Sequence, residues 1–230
     1  MRRSPIRSVP LVALAASLTL ATLGDAQQPD APRAKEAVAR AEPREIALPV
    51  LGLGEENADA VRADLLALET EVYACPSCSK ESTRAGTCPK CNVGLTPETR
   101  PLFTAATASV ATNLLSLTAD PLATVRLSEL ESTLARRSLK VDDERFALPG
   151  RVRLILRAPL LDNPSSLESL LTDTHLFAEA KASLEPATNQ IAIAVRAGAS
   201  PPTRAKVTSA LEGTKARLTD VIWIPMVPMS

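Results

Sequence analysis

Every cysteine of this chain lies between Cys75 and Cys91, in two copies of one unit: Cys75-Pro76-Ser77-Cys78 and Cys88-Pro89-Lys90-Cys91. No other feature restricts the backbone so tightly. A tight turn between paired cysteines aims both sulfurs at one point, and two such turns complete a tetrahedron. The spacing therefore predicts a tetrathiolate metal site with Cys75, Cys78, Cys88 and Cys91 as ligands. Zn2+ is the expected ion, and copper or another soft metal also suits four sulfurs. Pro76 and Pro89 stiffen the turns, and Gly86 and Gly94 are expected to bring the backbone round through φ > 0. The same cysteines also permit two disulfides, in three pairings. Each Cys-x-x-Cys further has the spacing of a redox-active pair, so a thiol-disulfide oxidoreductase is an alternative. Four protein ligands leave no open coordination position, so a metal bound here would fold the segment and not catalyse.

The chain's start bears on that choice. Arg2, Arg3 and Arg7 precede an apolar stretch from Val9 to Leu23, and Gly24-Asp25-Ala26 supplies a small-x-small site. Residues 1–26 are expected to be a signal peptide, and the protein to be exported, periplasmic or secreted. The stretch is shorter than the roughly 20 residues a span requires, and nothing after it is long or apolar enough to cross a bilayer. The other reading of the segment is a retained anchor.

The 26 Lys plus Arg balance 26 Asp plus Glu, with no long run of either sign, so no nucleic-acid partner is expected. One histidine, no Gly-rich phosphate loop and no assembled Ser-His-Asp set leave little for general acid-base work, and no enzyme activity is expected. His175 reads as a surface or capping residue, and Asp142, Asp143 and Glu144 as a solvated hairpin end.

Residues 27–54, rich in Ala, Pro, Glu and Arg, are expected to form a flexible arm. Ala58, Val61, Leu65, Leu68 and Val72 recur at helical spacing, predicting an amphipathic helix over 55–72 that runs into the four-cysteine module at 73–98. From Arg151 the pattern becomes an alternation of strands and helices. Arg151 to Arg157 places Val152, Leu154 and Leu156 on one face and arginines on the other. A helix with Leu167, Leu170 and Leu171 follows, then a hairpin of Ala178–Glu185 and Ile191–Val195. A helix with Val207, Ala210 and Leu211 leads to a last strand from Val221 to Ile224. This order is the split βαβ, ferredoxin-like arrangement, assigned to residues 151–225. A partial copy is expected over 103–150: a strand near Val110 to Leu117, a helix with Leu127, Leu130 and Leu134, and a strand from Leu139. The triplets Leu130-Glu131-Ser132, Leu167-Glu168-Ser169 and Leu211-Glu212-Gly213 hint at internal repetition. The expected fold class is α+β, a small zinc-ribbon-like module plus ferredoxin-like units.

At Tyr73, Cys75, Pro76, Gly86, Cys88, Pro89, Cys91 and Leu95 the module resembles the heavy-metal-binding domain of bacterial efflux adaptors and some copper-transporting ATPases. That family has Met-His where Ser77 and Cys78 stand, and Gly-Met where Asn92 and Val93 stand. Exchange of thioether and imidazole for thiolate shifts the implied preference from copper toward zinc. Residues 151–225 are similar in element order to the heavy-metal-associated ferredoxin-like domain, which binds metal through a Cys-x-x-Cys in the loop after its first strand. Here that loop, Ala158 to Ser165, carries no Cys, Met or His. Together the resemblances imply an exported, non-catalytic metal-binding protein with a role in heavy-metal handling. Its implied partners are a metal ion and a membrane efflux or other envelope protein. The alternative is an interaction module in which the zinc is purely structural.

Overall fold

Two sets of six elements carry the architecture, and a cysteine-bearing ribbon interrupts the first. The computed structural model describes residues 44–148, 150–157, 164–185 and 190–225. The expected signal peptide, most of the expected arm, the loop after the 151–157 strand and the turn within the hairpin lie outside the described residues.

The first set comprises β1 (Arg44–Leu51), α1 (Glu55–Leu66), β5 (Phe103–Ser109), β6 (Leu114–Ala119), α2 (Leu127–Ala135) and β8 (Lys140–Val141). The second comprises β9 (Arg151–Arg157), α3 (Pro164–Asp173), β10 (Glu179–Glu185), β11 (Gln190–Arg196), α4 (Arg204–Leu211) and β12 (Arg217–Trp223). Both sets run strand, helix, strand, strand, helix, strand. Their sheets are ordered β5-β6-β1-β8 and β10-β11-β9-β12, so each reads second, third, first, fourth strand of its own set. Every pairing in both is antiparallel. A short strand β7 (Val125–Arg126) of the first half adds to the β12 edge of the second sheet.

Period-two alternation builds both sheets. Ile46, Leu48 and Val50 of β1, Leu115 and Leu117 of β6, and Val152, Leu154 and Leu156 of β9 all point into one continuous core. Burying each such side chain contributes about 1.5–3 kcal/mol, which is how a chain so poor in aromatic residues stabilises itself. Phe146 and Trp223, from different halves, meet in that core with ring centroids 5.9 Å apart. Among the described residues no helix is long and apolar enough to cross a membrane.

Several boundaries differ from the sequence reading. The expected arm contains β1, which lies between β6 and β8. Pro49 fits there because its carbonyl accepts from Asp142 N–H at 2.9 Å, so its missing N–H lies on the side where β8 is only two residues long. The predicted helix over 55–72 stops at Leu66, and Glu69 begins a strand. Leu68 and Val72 satisfy both a helical and an alternating spacing; tertiary pairing selects the strand. The predicted strand at 110–117 keeps only its second half, from Leu114, because residues 110–113 form the turn between β5 and β6, with Asn113 at φ 50°. The predicted last strand at 221–224 starts earlier, at Arg217.

Two devices fix the helices. Asn57 accepts the Gly54 N–H at 2.9 Å at the start of α1, where Glu55 and Glu56 face the positive end of the helix dipole. The N-cap of α2, Arg126, makes no side-chain cap bond. Asp220 of β12 replaces it, accepting the Ser128 N–H and the Ser128 hydroxyl, each at 2.9 Å. A residue of the second half thus caps a helix of the first.

Candidate metal centre

The ribbon between α1 and β5 contains β2 (Glu69–Ala74), β3 (Glu81–Ser82) and β4 (Thr96–Pro101), ordered β3-β2-β4. Its two long legs pair from Glu69↔Pro101 to Ala74↔Thr96. Leu102 N–H donates to Leu68 C=O at 2.7 Å and closes the base. The legs carry the two Cys-x-x-Cys turns outward, the first between β2 and β3 and the second between the bridged residues Thr87 and Gly94. Arg100 on β4 donates to Glu81 on β3 and to Glu98 beside it, which ties the three strands across the sheet and raises its pKa.

The two turns are copies in geometry as well as sequence. The Cys75 carbonyl accepts from Ser79 N–H at 2.9 Å, and the Cys88 carbonyl from Asn92 N–H at 2.8 Å. The Cys75 N–H donates to Lys80 C=O and the Cys88 N–H to Val93 C=O, both at 2.8 Å. Ser79 and Asn92 occupy the left-handed region at φ 54° and 53°. The sequence reading gave that role to Gly86 and Gly94. Gly86 does adopt positive φ, at 156°, whereas Gly94 does not, and the left-handed turn itself falls on the residue after each second cysteine. Asn takes this conformation readily; Ser79 pays more for it.

All four sulfurs lie within 4.8 Å of one another. The Cys78 and Cys88 sulfurs are 3.6 Å apart, against the roughly 3.8 Å edge of a tetrahedron with zinc–sulfur bonds of about 2.3 Å. The four are free thiols. The first cysteine of each turn, Cys75 or Cys88, is buried, and the second, Cys78 or Cys91, is half-buried. The four cysteines therefore lie close enough to bind a metal ion.

The protons are unevenly held. Cys88 is lowered to about 7, chiefly because the Cys91 backbone N–H donates to its sulfur, aided by the Lys90 N–H and by the Cys78 and Cys75 thiols; burial opposes the shift. Cys91 is raised to about 12, first by its hydrogen bond to Cys78, then by burial, Cys75 and the negative charge of both neighbours. One thiolate is stabilised by backbone dipoles, and a second is penalised beside it. A dication bound here would supply the charge that lets all four ionise together.

The ribbon has almost nothing else to hold it. Within residues 67–101 the buried side chains are Val72, Ala74, Cys75 and Cys88, and none belongs to the main core. His175 is exposed, ends α3 at φ 55° and lies on a different element from the cysteines. Asp142, Asp143 and Glu144 form the turn after β8, where Asp143 pairs with Arg204 at 3.2 Å. No family model, curated protein or solved structure matches this chain.

Proposed function

We infer that this is an exported, non-catalytic metal-binding protein that holds one Zn2+ on Cys75, Cys78, Cys88 and Cys91. The convergence of four sulfurs within 4.8 Å, from two turns of the same hydrogen-bond pattern, is the observation that carries it. The small sheet with a turn at each ligand pair supports a zinc-ribbon-like reading. The second-third-first-fourth strand order supports a ferredoxin-like reading of both halves. Neither half carries a thiol after its first strand: Gly52-Leu53-Gly54 follows β1, and Ala158 onward follows β9. Metal handling, in an efflux setting or another envelope role, would belong to the ribbon.

The test is metal content and free thiols on one sample of protein made in an export-competent host without added metal. The expected result is about one zinc per chain, with thiols reactive only after chelation. Absence of metal together with absence of reactive thiols would mean two disulfides and would overturn the reading.

A second reading has its own support: four protein ligands close the coordination sphere, as in structural zinc sites. Zinc would then only staple the ribbon of an interaction module. Slow loss of zinc to a competing chelator, with partner binding unchanged in Cys88→Ser, favours it. The thiol-disulfide alternative lacks the helix N-terminus that activates an attacking cysteine, since β2, β3 and β4 flank both turns. Turnover in an insulin-reduction assay would revive it.

A further inference from the structure

The sheet of the second half buries one face against its helices, and its other face exposes a set of charged side chains. On β9 this second face carries Arg151, Arg153, Ile155 and Arg157, the residues that alternate with the core positions Val152, Leu154 and Leu156. Register extends this face across the sheet in rows. Arg157 lies between Arg217 of β12 and Gln190 of β11. Arg153 lies between Ile222 and Ala194, and the same row continues to Arg126 on β7 at one edge and Lys181 on β10 at the other. Arg151 is opposite Arg196, which pairs with Glu179. Seven cations thus share this face with three carboxylates at register positions on it, Glu179, Asp220 and Glu185.

Two of those acids are already engaged, Glu179 by Arg196 and Asp220 by Ser128 and Arg126. Arg151, Arg157, Lys181 and Arg217 are exposed, and Arg126 and Arg196 keep 56% and 47% of their side-chain surface in solvent. The balanced charge of the whole chain conceals this face, because its cations come from five separate strands. The corresponding face of the first half shows the contrast. Its rows carry Ala47, Ser116, Thr107 and Thr118, with Glu45 and, opposite Leu51, Lys140 as their charged members.

We propose that this face docks on a bilayer surface rich in anionic headgroups. Its chemistry selects that occupant over other polyanions. The cations spread in two dimensions, about 7 Å apart along a strand and about 4.8 Å between strands, which suits a two-dimensional array of phosphates better than a linear chain. No aromatic ring is available for stacking nucleobases: Phe103, Phe146, Phe177 and Trp223 are buried, and Tyr73 lies on the ribbon. The apolar residues in the middle of the face, Ile155, Ala192 and Ile222, are themselves buried, and none of the exposed large apolar side chains lies on it. A peptide would find no apolar pocket there to set its register. Six of the seven cations are arginines, whose forked donors bind phosphate bidentately. Attachment is therefore electrostatic, reversible and sensitive to salt.

The experiment compares the full chain with Arg151→Glu/Arg157→Glu/Arg217→Glu by co-sedimentation with vesicles of equal parts phosphatidylcholine and phosphatidylglycerol, and with phosphatidylcholine alone. The N-terminal arginines and apolar stretch are common to both chains, so the difference between them reports the face. Binding to the anionic vesicles is expected to exceed binding to the neutral ones, and the triple reversal to lower it about a thousandfold or more. Near 1 M salt, where the Debye length is about 3 Å, that preference should vanish. Should the reversals unfold the sheet, as circular dichroism would show, Arg151→Gln/Arg157→Gln/Arg217→Gln is the milder variant, with a loss of about a hundredfold expected. A matched control, Arg136→Glu/Lys140→Glu/Lys206→Glu, reverses three exposed charges elsewhere and is expected to bind like the wild type. Equal loss in the control, no preference for the anionic vesicles, or tighter binding to a single-stranded oligonucleotide or to polyglutamate would each overturn the proposal.

Discussion

The same connection, from first helix to second strand, is made twice in this molecule and in opposite ways. In the second half, residues 174–178 suffice to lead from α3 to β10; in the first, residues 67–102 do the same work and carry the entire ribbon. The two halves share one core, reaching from Ile46 to Trp223, while the ribbon buries only Val72, Ala74 and two cysteines outside that core. The comparison teaches that the ribbon is an addition at a tolerant point of the fold. Its ends are already held together by the Leu68–Leu102 bond. On the proposed reading, what it lacks in apolar burial it would recover from its ligands, since a structural zinc site supplies folding free energy directly.

Removing the metal is the most severe test of that contrast. Chelation, or Cys88→Ser, is expected to abolish the ordered ribbon altogether, forfeiting an apparent zinc-binding free energy on the order of 10 kcal/mol. Hydrogen exchange would show amides of residues 69–101 losing protection while those of β9 and β11 keep theirs. Collapse of the whole molecule on chelation would break the comparison, because it would make the ribbon part of the core. Phe146→Ala acts in the opposite sense. Phe146 contacts Trp223 across the two halves, so its truncation should cost about 3–5 kcal/mol and lower the unfolding midpoint of both halves together. Zinc stoichiometry measured on the variant below its unfolding midpoint should remain unchanged.

How much of this was legible in the sequence differs by region, for physical reasons. The 151–157 strand was readable because Arg151, Arg153 and Arg157 alternate with Val152, Leu154 and Leu156, Ile155 alone breaking the pattern, and the four ligands because their spacing admits few geometries. The first half was harder. Pro49 argues against a central strand until β8 is known to be only two residues long on that side. Leu68 and Val72 fit a helix as well as the strand they occupy. The triplets pointed to repetition only in part: Leu130 and Leu211 both lie on the second helix of their half, whereas Leu167 lies on a first helix. What the two halves share is their element and strand order, which those residues do not by themselves display. The cationic face was unreadable as a unit, because only register brings Arg126, Arg153 and Lys181 into one row.

A smaller effect is expected at the joint between halves. Asp220→Ala leaves the Ser128 N–H at the start of α2 without its acceptor and should cost about 1–3 kcal/mol. Asp220→Asn keeps an acceptor oxygen and should cost less. Chemical denaturation of the two variants checks the order. Equal losses would mean that the negative charge at the helix start, and not the acceptor, is what Asp220 contributes.

The smallest effect tests whether contacts confined to the first half behave like surface features. Arg137 holds Asp64 through two bonds, Nε to Oδ2 at 2.7 Å and Nη2 to Oδ1 at 3.0 Å, joining the turn after α2 to α1. That hydrogen bond, with the charge of Arg137 and Arg136, lowers the Asp64 pKa, while partial desolvation opposes it. A carboxylate whose pKa is depressed on folding contributes its stability above the unfolded value, near 3.9, and loses it as pH falls through the lower folded value. The stability difference between wild type and Asp64→Asn should therefore be constant at neutral pH and shrink below about pH 4. It should also shrink with added salt, because the pair lies at the surface. Denaturation curves across that pH range, beside an NMR titration of the Asp64 carboxyl, measure both. A difference that grows on acidification would place the unfolded Asp64 pKa below the folded one and reverse the sign argued here.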